Sequence, residues 1–391
     1  MQVIENNDYD IIVVGGGVAG VSAALASARQ GRKVLLIEKS YVLGGLGTSG
    51  LVTIYLPLCD GMGHQVSFGI AEELLRLSIK DAYEDRYPTP WFHDGLREEK
   101  IKNRFLVQYN PHLFAIACEN LLEREGVDIL YGSFVTDTIV ENDRIKYVVL
   151  ENISGRYFFG CKNVIDASGD GVLAYKSGED VVEFKQGNVL AAWYYSLSKE
   201  EGYKLNILGA ADNPDDEKTG EEEYICDKRF KGLDAKEISK MVSLSHKAIY
   251  EDFKKRRACD HTFLPVNIAS IPQIRMTRGL KGEYLMSVSD DKKSFSDSVG
   301  LFSNWKKSGP VYELPFRALH GTKIKNLLAC GRAMGAEDSM WDVTRVIPVC
   351  AVTGEACGVA SALGDWDKIS VEELQNRLKE KGVKIKIGEI L

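Results

Sequence analysis

The chain of 391 residues is 45% hydrophobic and 27% charged, with a net charge of −7. This is the balance of a soluble globular protein with core enough for one large or two ordinary domains, and it argues against broad nucleic-acid binding. No apolar run approaches the ~18–20 residues of a membrane span. The polar opening MQVIENNDYD enters the first strand directly, so a cytoplasmic protein without a secretory signal is expected. The eight cysteines (59, 118, 161, 226, 259, 330, 350, 357) include no C-x-x-C pair. An iron–sulfur cluster or a structural zinc would want such spacing and a secreted disulfide scaffold would be shorter and denser, so no metal is expected.

The first informative stretch runs from Asp10 to Gly50. Ile11 to Val14 reads as a buried parallel strand, followed by Gly15, Gly17 and Gly20 in a G-x-G-x-x-G pattern. An Ala-rich helix is predicted from Val18 to Gln30, then a second strand, Val34 to Ile37, ending at Glu38. Strand, glycine turn, helix, strand and acid in this order form a dinucleotide fingerprint. Gly15 turns the chain, Gly17 lets the backbone approach a pyrophosphate, and Gly20 lets the helix sit close to the sheet. Val18 and Ala19 open the helix, whose unpaired N–H groups and positive dipole end face the phosphates. Glu38 is placed to accept from ribose hydroxyls, and its charge disfavours the 2′-phosphate of NADP.

A second glycine cluster, Gly44-Gly45-Leu46-Gly47-Thr48-Ser49-Gly50, follows. Simple NAD-dependent dehydrogenases have no need of it. With Glu38-Lys39 it resembles the E-K/R-x(4)-G-G segment of FAD-dependent oxidoreductases of the glutathione reductase and fumarate reductase type. The chain looks most like a bacterial FAD-dependent oxidoreductase family reading GGxxTSGLV, LPxxDG and G-I-A-E-E-L-L. All three occur, at 44–52, 56–61 and 69–75. The resemblance implies FAD, held in part by Lys39, Gly44, Gly45, Gly47, Thr48 and Ser49. It also implies an α/β, Rossmann-like FAD/NAD(P)-binding fold with a β-rich α+β substrate domain inserted.

Leu51 to Leu58 is apolar and is expected beside the isoalloxazine. Cys59 could face the flavin or be a buried bystander, and His64 could bind substrate, tether the flavin or be an ordinary loop histidine. Ile70 to Ile79 reads as a helix, and the polar, Pro-interrupted stretch after it as a surface excursion carrying an exposed His93. Asn110-Pro111 opens a helix to about Glu125, with Leu113, Phe114, Ile116, Ala117, Leu121 and Leu122 at helical spacing. Val127 to Tyr131 is the next strand. In the resembling family the strand after it brings backbone groups to the adenine, a part that falls to Val135. Ile139 to Phe159 reads as a three-stranded meander. Asn163 to Gly171 then resembles the family's A-T-G segment, with Ala167, Ser168 and Gly169 small enough to pack on the nucleotide.

From about Ser177 the composition changes. An acidic run at Asp215, Asp216, Glu217 and 221–223 could be a solvated loop or a partner site. Lys236 to Phe253 reads as an outer helix. IPQIRMTRGLKGEYLM at 271–286 and VYELPFRAL at 311–319 resemble family strands leading back to the flavin domain. Leu327 to Cys330 is a short strand followed by Gly331-Arg332, where related flavoproteins often carry Gly-Asp. Thr344-Arg345-Val346-Ile347-Pro348 precedes a helix whose start can aim unpaired N–H groups at the flavin's pyrimidine carbonyl. Cys350 and Cys357 are expected on one buried face of that helix. Ser370 and Glu373 form a capping box for a final outer helix.

The divisions expected are 8–176 with 320–365 for FAD, 177–319 for the substrate, and 366–391 for a terminal helix. The chemistry expected is dehydrogenation of a small polar substrate that could be anionic, or the reverse reduction, with no nucleic acid or membrane involved. Arg345, Arg275 and Arg278 are the candidate catalytic residues, because a guanidinium suits a carboxylate or developing oxyanion, although structural ion pairs could occupy each. His261, His112 and Tyr312 are open candidates for a general base. A non-redox protein of the same fold, thiazole-synthase-like or GDP-dissociation-inhibitor-like, is the alternative. Intact Glu38, Gly44-Gly45 and the Pro348 helix start weigh against the inhibitor-like form.

Overall fold

A computed structural model describes residues 4–81, 88–209 and 225–391. The first part of the chain forms β1 (Ile4–Val14), α1 (Val18–Ala28), β2 (Val34–Ile37), β3 (Ile54–Tyr55), α2 (Ile70–Ile79), α3 (Thr89–Phe92), α4 (Arg97–Lys102) and β4 (Val107–Gln108). There follow α5 (Pro111–Arg124), β5 (Asp128–Leu130), β6 (Phe134–Glu141), β7 (Arg144–Asn152), β8 (Gly155–Asp166), α6 (Val172–Lys176), β9 (Val181–Glu183), β10 (Tyr194–Ser198) and β11 (Gly202–Asn206). The rest comprises α7 (Ala235–Cys259), β12 (Leu264–Ile268), β13 (Arg278–Leu280), β14 (Ser298–Ser303), β15 (Val311–Pro315), β16 (Leu327–Ala329), α8 (Asp338–Thr344), α9 (Ile347–Leu363) and α10 (Val371–Glu380). The acidic run at 215–223 lies outside the described residues.

Among the described residues the main sheet has seven strands in the order β5-β2-β1-β8-β7-β6, with β16 also pairing β8. The predicted third meander strand and the predicted strand before Ala167 are one element, the 12-residue β8. Its first half pairs antiparallel with β7, and its second half runs parallel to β1 and β16. Register decides what this sheet presents. Val14 pairs with both Ile37 and Asp166, Leu130 with Ile37, and Ala329 with Asp166. The carboxyl ends of β1, β2, β5, β8 and β16 are therefore level, and the loops after them gather along one edge. In open α/β sheets that edge is where ligands bind.

Side chains of β1 alternate between two cores, as a strand buried on both faces requires. Ile11 and Val13 join the cluster under α1, α2, α5 and α9, while Ile12 and Val14 join one with Val148, Leu150 and Phe159. Glycines set the closest approach of α1 and α9. A Cβ on Gly354 would lie 2.2 Å from the Ala19 carbonyl oxygen, and one on Gly358 would lie 2.4 Å from that of Ala23. On α5 the predicted apolar face is partly wrong: Phe114, Leu121 and Leu122 are buried, but Leu113 and Ile116 are exposed. Residues 89–105 are also more than a surface excursion, because Trp91 stacks on the buried Phe105 at 5.1 Å. The three-stranded sheet β11-β10-β12 is backed by α7, through Tyr194, Ile249 and Phe263. At α10 the Ser370 hydroxyl accepts from the Glu373 N–H at 3.3 Å, while Glu373 turns to Arg377.

Glu355 on α9 is buried against the start of α2, where its Oε2 accepts from the Ile70 N–H at 2.9 Å. Only a glycine fits beside it: Gly69 has φ +62°, and a Cβ there would lie 2.5 Å from that oxygen. Glu355, Arg29, Glu73 and Lys381 line a cavity of about 160 Å³. Burial pushes the Glu355 carboxyl up from 4.5 to about 8, against the pull of the Ile70 bond and of Arg29. The folded protein therefore keeps a proton that the unfolded chain releases. The stability this provides is complete below pH 4.5 and is lost as the pH rises through about 8. Glu355→Gln keeps the acceptor for Ile70 but has no proton to lose. Denaturant unfolding should show the variant and parent alike near pH 4.5, and the variant more stable by a few kcal/mol at about pH 9. Parallel pH profiles would contradict this.

Candidate functional site

The loops gathered at the sheet edge enclose a cleft of about 380 Å³. At its centre is the β1–α1 turn. Gly15 has φ +103° and lies so close to the β8 turn that a Cβ would sit 2.5 Å from the Ala167 carbonyl oxygen. Gly17 faces open space, since nothing lies within 4 Å of where its Cβ would be. It is also the N-cap of α1, and no side chain caps that helix. The second glycine cluster docks here, with the Gly44 N–H donating to the Gly16 carbonyl at 2.8 Å. A Cβ on Gly45 would meet only Gly17. The result is a bare backbone cradle beside the positive end of a helix, which suits a pyrophosphate.

To one side of the cradle stands Glu38, buried at 7% exposure. Its Oε2 accepts from the Gly16 N–H at 2.6 Å, and its Oε1 accepts from the Ser40 N–H and hydroxyl at 2.7 Å each. Lys39, Ser133, Phe134 and Val135 continue this arm of the cleft. Opposite lies the β8 turn. Asp166, fully buried, accepts from the Ser168 N–H (3.1 Å) and hydroxyl (2.6 Å), and from the Leu173 (2.8 Å) and Ala174 (3.1 Å) N–H groups. One carboxylate thus sets the shape of Ala167-Ser168-Gly169. At the far end Leu46, Gly47, Ile271, Pro272, Ile274, Arg345, Ile347 and Cys350 close the cleft. The Tyr109 hydroxyl donates to the Gly47 carbonyl at 2.7 Å, fixing that loop from behind.

Of the residues expected to hold the cofactor, Gly15, Gly17, Val18, Ala19, Glu38, Lys39, Gly44, Gly45, Gly47, Val135, Ala167, Ser168, Gly169, Arg332 and Ile347 line this one cleft. Gly20, Thr48, Ser49, Gly331, Val346 and Pro348 do not line it; they shape its walls from behind. A Cβ on Gly20 would lie 1.8 Å from the Gly15 carbonyl oxygen. The Thr48 hydroxyl is turned inward to the Leu43 carbonyl, and the Ser49 carbonyl accepts from the Ser270 N–H. The Gly331 N–H donates to the Thr353 hydroxyl at 2.9 Å. Val346 is the N-cap of α9 and Pro348 lies in its first turn, with no side-chain cap, so that helix also opens towards the cleft.

The three arginines part company. Arg345 lines the cleft at the end of α8, held by the buried Asp342, whose Oδ2 also lies 2.7 Å from Lys306 Nζ. Arg275 and Arg278 do not line it, which corrects their expected place. Arg275 is buried with its guanidinium over the Trp193 ring at 4.8 Å, and Arg278 lies over Tyr175 at 4.0 Å and donates to the Asp170 carbonyl. Arg332, placed where related proteins often carry Asp, donates to the Ile274 and Arg275 carbonyls at 3.1 and 2.8 Å and pairs with Asp170 at 3.4 Å. It ties the 274–275 segment to the β8 turn. None of the candidate bases lines the cleft: His112 bonds Asn267 at 3.0 Å, Tyr312 stacks on Phe302, and His261 is exposed. His64 pairs with the buried Asp60 at 2.8 Å, and Cys59 is buried with its sulfur accepting from the Phe105 N–H. Cys357 is buried as expected, but Cys350 reaches the cleft, where burial pushes its thiol up to about 11.

Several lining residues were missed. Ile271, Pro272 and Ile274 belong to the same irregular segment as Arg275, and they line the cleft while the arginine does not. Gly232 and Ile238, at the start of α7, come from a part of the chain with no local nucleotide signal.

A bare glycine cradle, an acid at the second strand, a small-residue turn and a second uncapped helix start on one cleft define an FAD-binding α/β flavoprotein with a Rossmann-like fold. The family model for FAD dependent oxidoreductases matches residues 10–192 and 191–381. The chain belongs to this family: it is an FAD-dependent oxidoreductase. A thioredoxin reductase of Ureaplasma parvum is 30% identical over 76 residues, covering 19% of this chain and 25% of that protein. A tRNA uridine 5-carboxymethylaminomethyl modification enzyme of Fusobacterium nucleatum is 27% identical over 228 residues, covering 54% of this chain and 33% of that enzyme. The chain thus spans a quarter to a third of the length of these relatives. Among solved structures, a geranylgeranyl bacteriochlorophyll reductase-like protein of Thermoplasma acidophilum is 15% identical with a TM-score of 0.45, over 97% of this chain and 83% of that one. A flavocytochrome c3 fumarate reductase is 14% identical with a TM-score of 0.45, over 91% and 78%. Among the described residues no single helix is long and apolar enough to cross a membrane.

Proposed function

We propose that the protein dehydrogenates a small polar organic substrate, or reduces its unsaturated form, with Arg345 receiving a carboxylate or developing oxyanion. Arg345 carries the reading: of the three arginines expected near the chemistry it alone lines the cleft, two residues before Ile347, which lines it as well. FAD supplies the acceptor or donor of the hydride. The chain's part is to hold and orient. Glu38 and the cradle at Gly17 and Gly45 fix the cofactor, and Asp342 fixes the guanidinium so that its donors need no reorganisation when charge develops. The start of α9 adds positive potential at the same end of the cleft, which favours a more anionic cofactor ring. Tyr109 holds the Gly47 loop from below.

A panel of small hydroxy acids, amino acids and unsaturated acids, scored by anaerobic bleaching of the flavin, identifies the substrate. Arg345→Ala should then retain FAD and lose at least about 100-fold in kcat/KM. The fold should survive, because Lys306 stays beside Asp342. Unchanged kinetics would remove Arg345 from the chemistry.

A further inference from the structure

The long helix α7 runs against the charge of the rest of the molecule. It holds seven Lys and Arg against three Asp and Glu, a net of +4, in a chain whose total is −7, which leaves −11 for the remainder. The cations are not scattered. Lys236, Lys240, Lys247 and Lys254 recur at intervals of four and seven, which places them on one face of a helix, and all are exposed. The opposite face carries the buried Met241 and Ile249. Tyr250, 59% exposed, stands within the stripe. Lys254 pairs with Glu251 at 2.6 Å, but Lys236, Lys240 and Lys247 make no ion pair among the described residues. Lys228 and Lys231 join Lys236 and Lys240 around an open hollow at the N-terminal end, where these four lysines outnumber Glu183, Asp234 and Glu237. That end borders the cofactor cleft, which Gly232 and Ile238 line.

We propose that this face of α7 docks an acidic one-electron carrier protein, with the lysines as its electrostatic landing strip. The inference rests on the redox reading of the cleft. Dehydrogenation takes two electrons and two protons from the substrate; two carrier molecules take one electron each, and the protons pass to water. Only one dinucleotide fingerprint is legible in the chain, so a second bound nucleotide is not the evident partner. Charge supplies the complementarity: the stripe is basic and suits an acidic partner, while the remainder of the chain carries a net of −11. Size suits a carrier. The 25-residue helix is ~37 Å long, about the width of a 100-residue domain.

The test is direct binding of the FAD-loaded protein to an acidic plant-type [2Fe–2S] ferredoxin and to a flavodoxin, followed by calorimetry. At least one should bind, and weaken about tenfold or more between about 50 mM and about 300 mM NaCl. The variant Lys236→Glu/Lys240→Glu/Lys247→Glu should weaken binding at least about tenfold at low salt, with FAD content and melting temperature unchanged. Lys146→Glu, an exposed lysine on β7, should bind like the parent. Binding of neither carrier, or equal binding by the triple variant, would overturn the proposal. So would tighter, lysine-dependent binding of a single-stranded RNA 20-mer, which would assign the stripe to nucleic acid. A protein that carries no flavin would count against the redox reading, whereas a flavin-loaded protein that ignores both carriers counts against the docking face alone.

Discussion

Replacing Glu38 by arginine should strip the protein of its flavin. The carboxylate is buried and takes three hydrogen bonds, from the Gly16 N–H, the Ser40 N–H and the Ser40 hydroxyl. Each orphaned buried donor costs about 1–3 kcal/mol, and a guanidinium can accept from none of them. The new charge would also sit where ribose hydroxyls expect an acceptor. FAD affinity, measured by titrating the cofactor-free protein, should fall at least about 100-fold, which is about 2.7 kcal/mol. Glu38→Gln keeps one acceptor oxygen and should fall less. An arginine variant that holds FAD like the parent would remove Glu38 from the site.

The second large effect is expected at Asp166, which touches the cofactor only through the turn it shapes. Asp166→Ala leaves four donors on residues 168, 173 and 174 without their acceptor inside the core. Burial alone pushes this carboxyl up, and those donors are what stabilise its charged form. The loss should be roughly 3–5 kcal/mol, a fall in melting temperature of roughly 5–15 °C. The cofactor should be lost with it, since Ala167, Ser168 and Gly169 line the cleft. Asp166→Asn retains one acceptor oxygen and should cost about half. An alanine variant with an unchanged melting temperature would contradict the role.

The parts of the site written as local patterns were legible without coordinates. Gly15, Gly17 and Glu38 sit within one strand–turn–helix–strand unit, where the spacing of residue types fixes the geometry. So does the start of α9, because Pro348 marks a helix entrance. Two kinds of information were not local. One was the facing of an irregular segment: 271–275 could present either its aliphatic members or Arg275 to the cleft, and the arginine lies over Trp193 instead. The other was distance. Gly232 and Ile238 reach the cleft because α7 packs across the three-stranded sheet, and no short-range pattern encodes that. Thr48 shows a third limit, since a hydroxyl in a glycine cluster can serve the loop itself instead of a ligand.

The visible spectrum of the purified protein, read together with the flavin released on denaturation, bears most directly on the whole reading. It should show a band at about 450 nm that bleaches under an anaerobic reductant, and about one FAD per chain. A colourless protein that takes up no added FAD would mean that the cleft between Gly17, Ser168 and Ile347 serves something else.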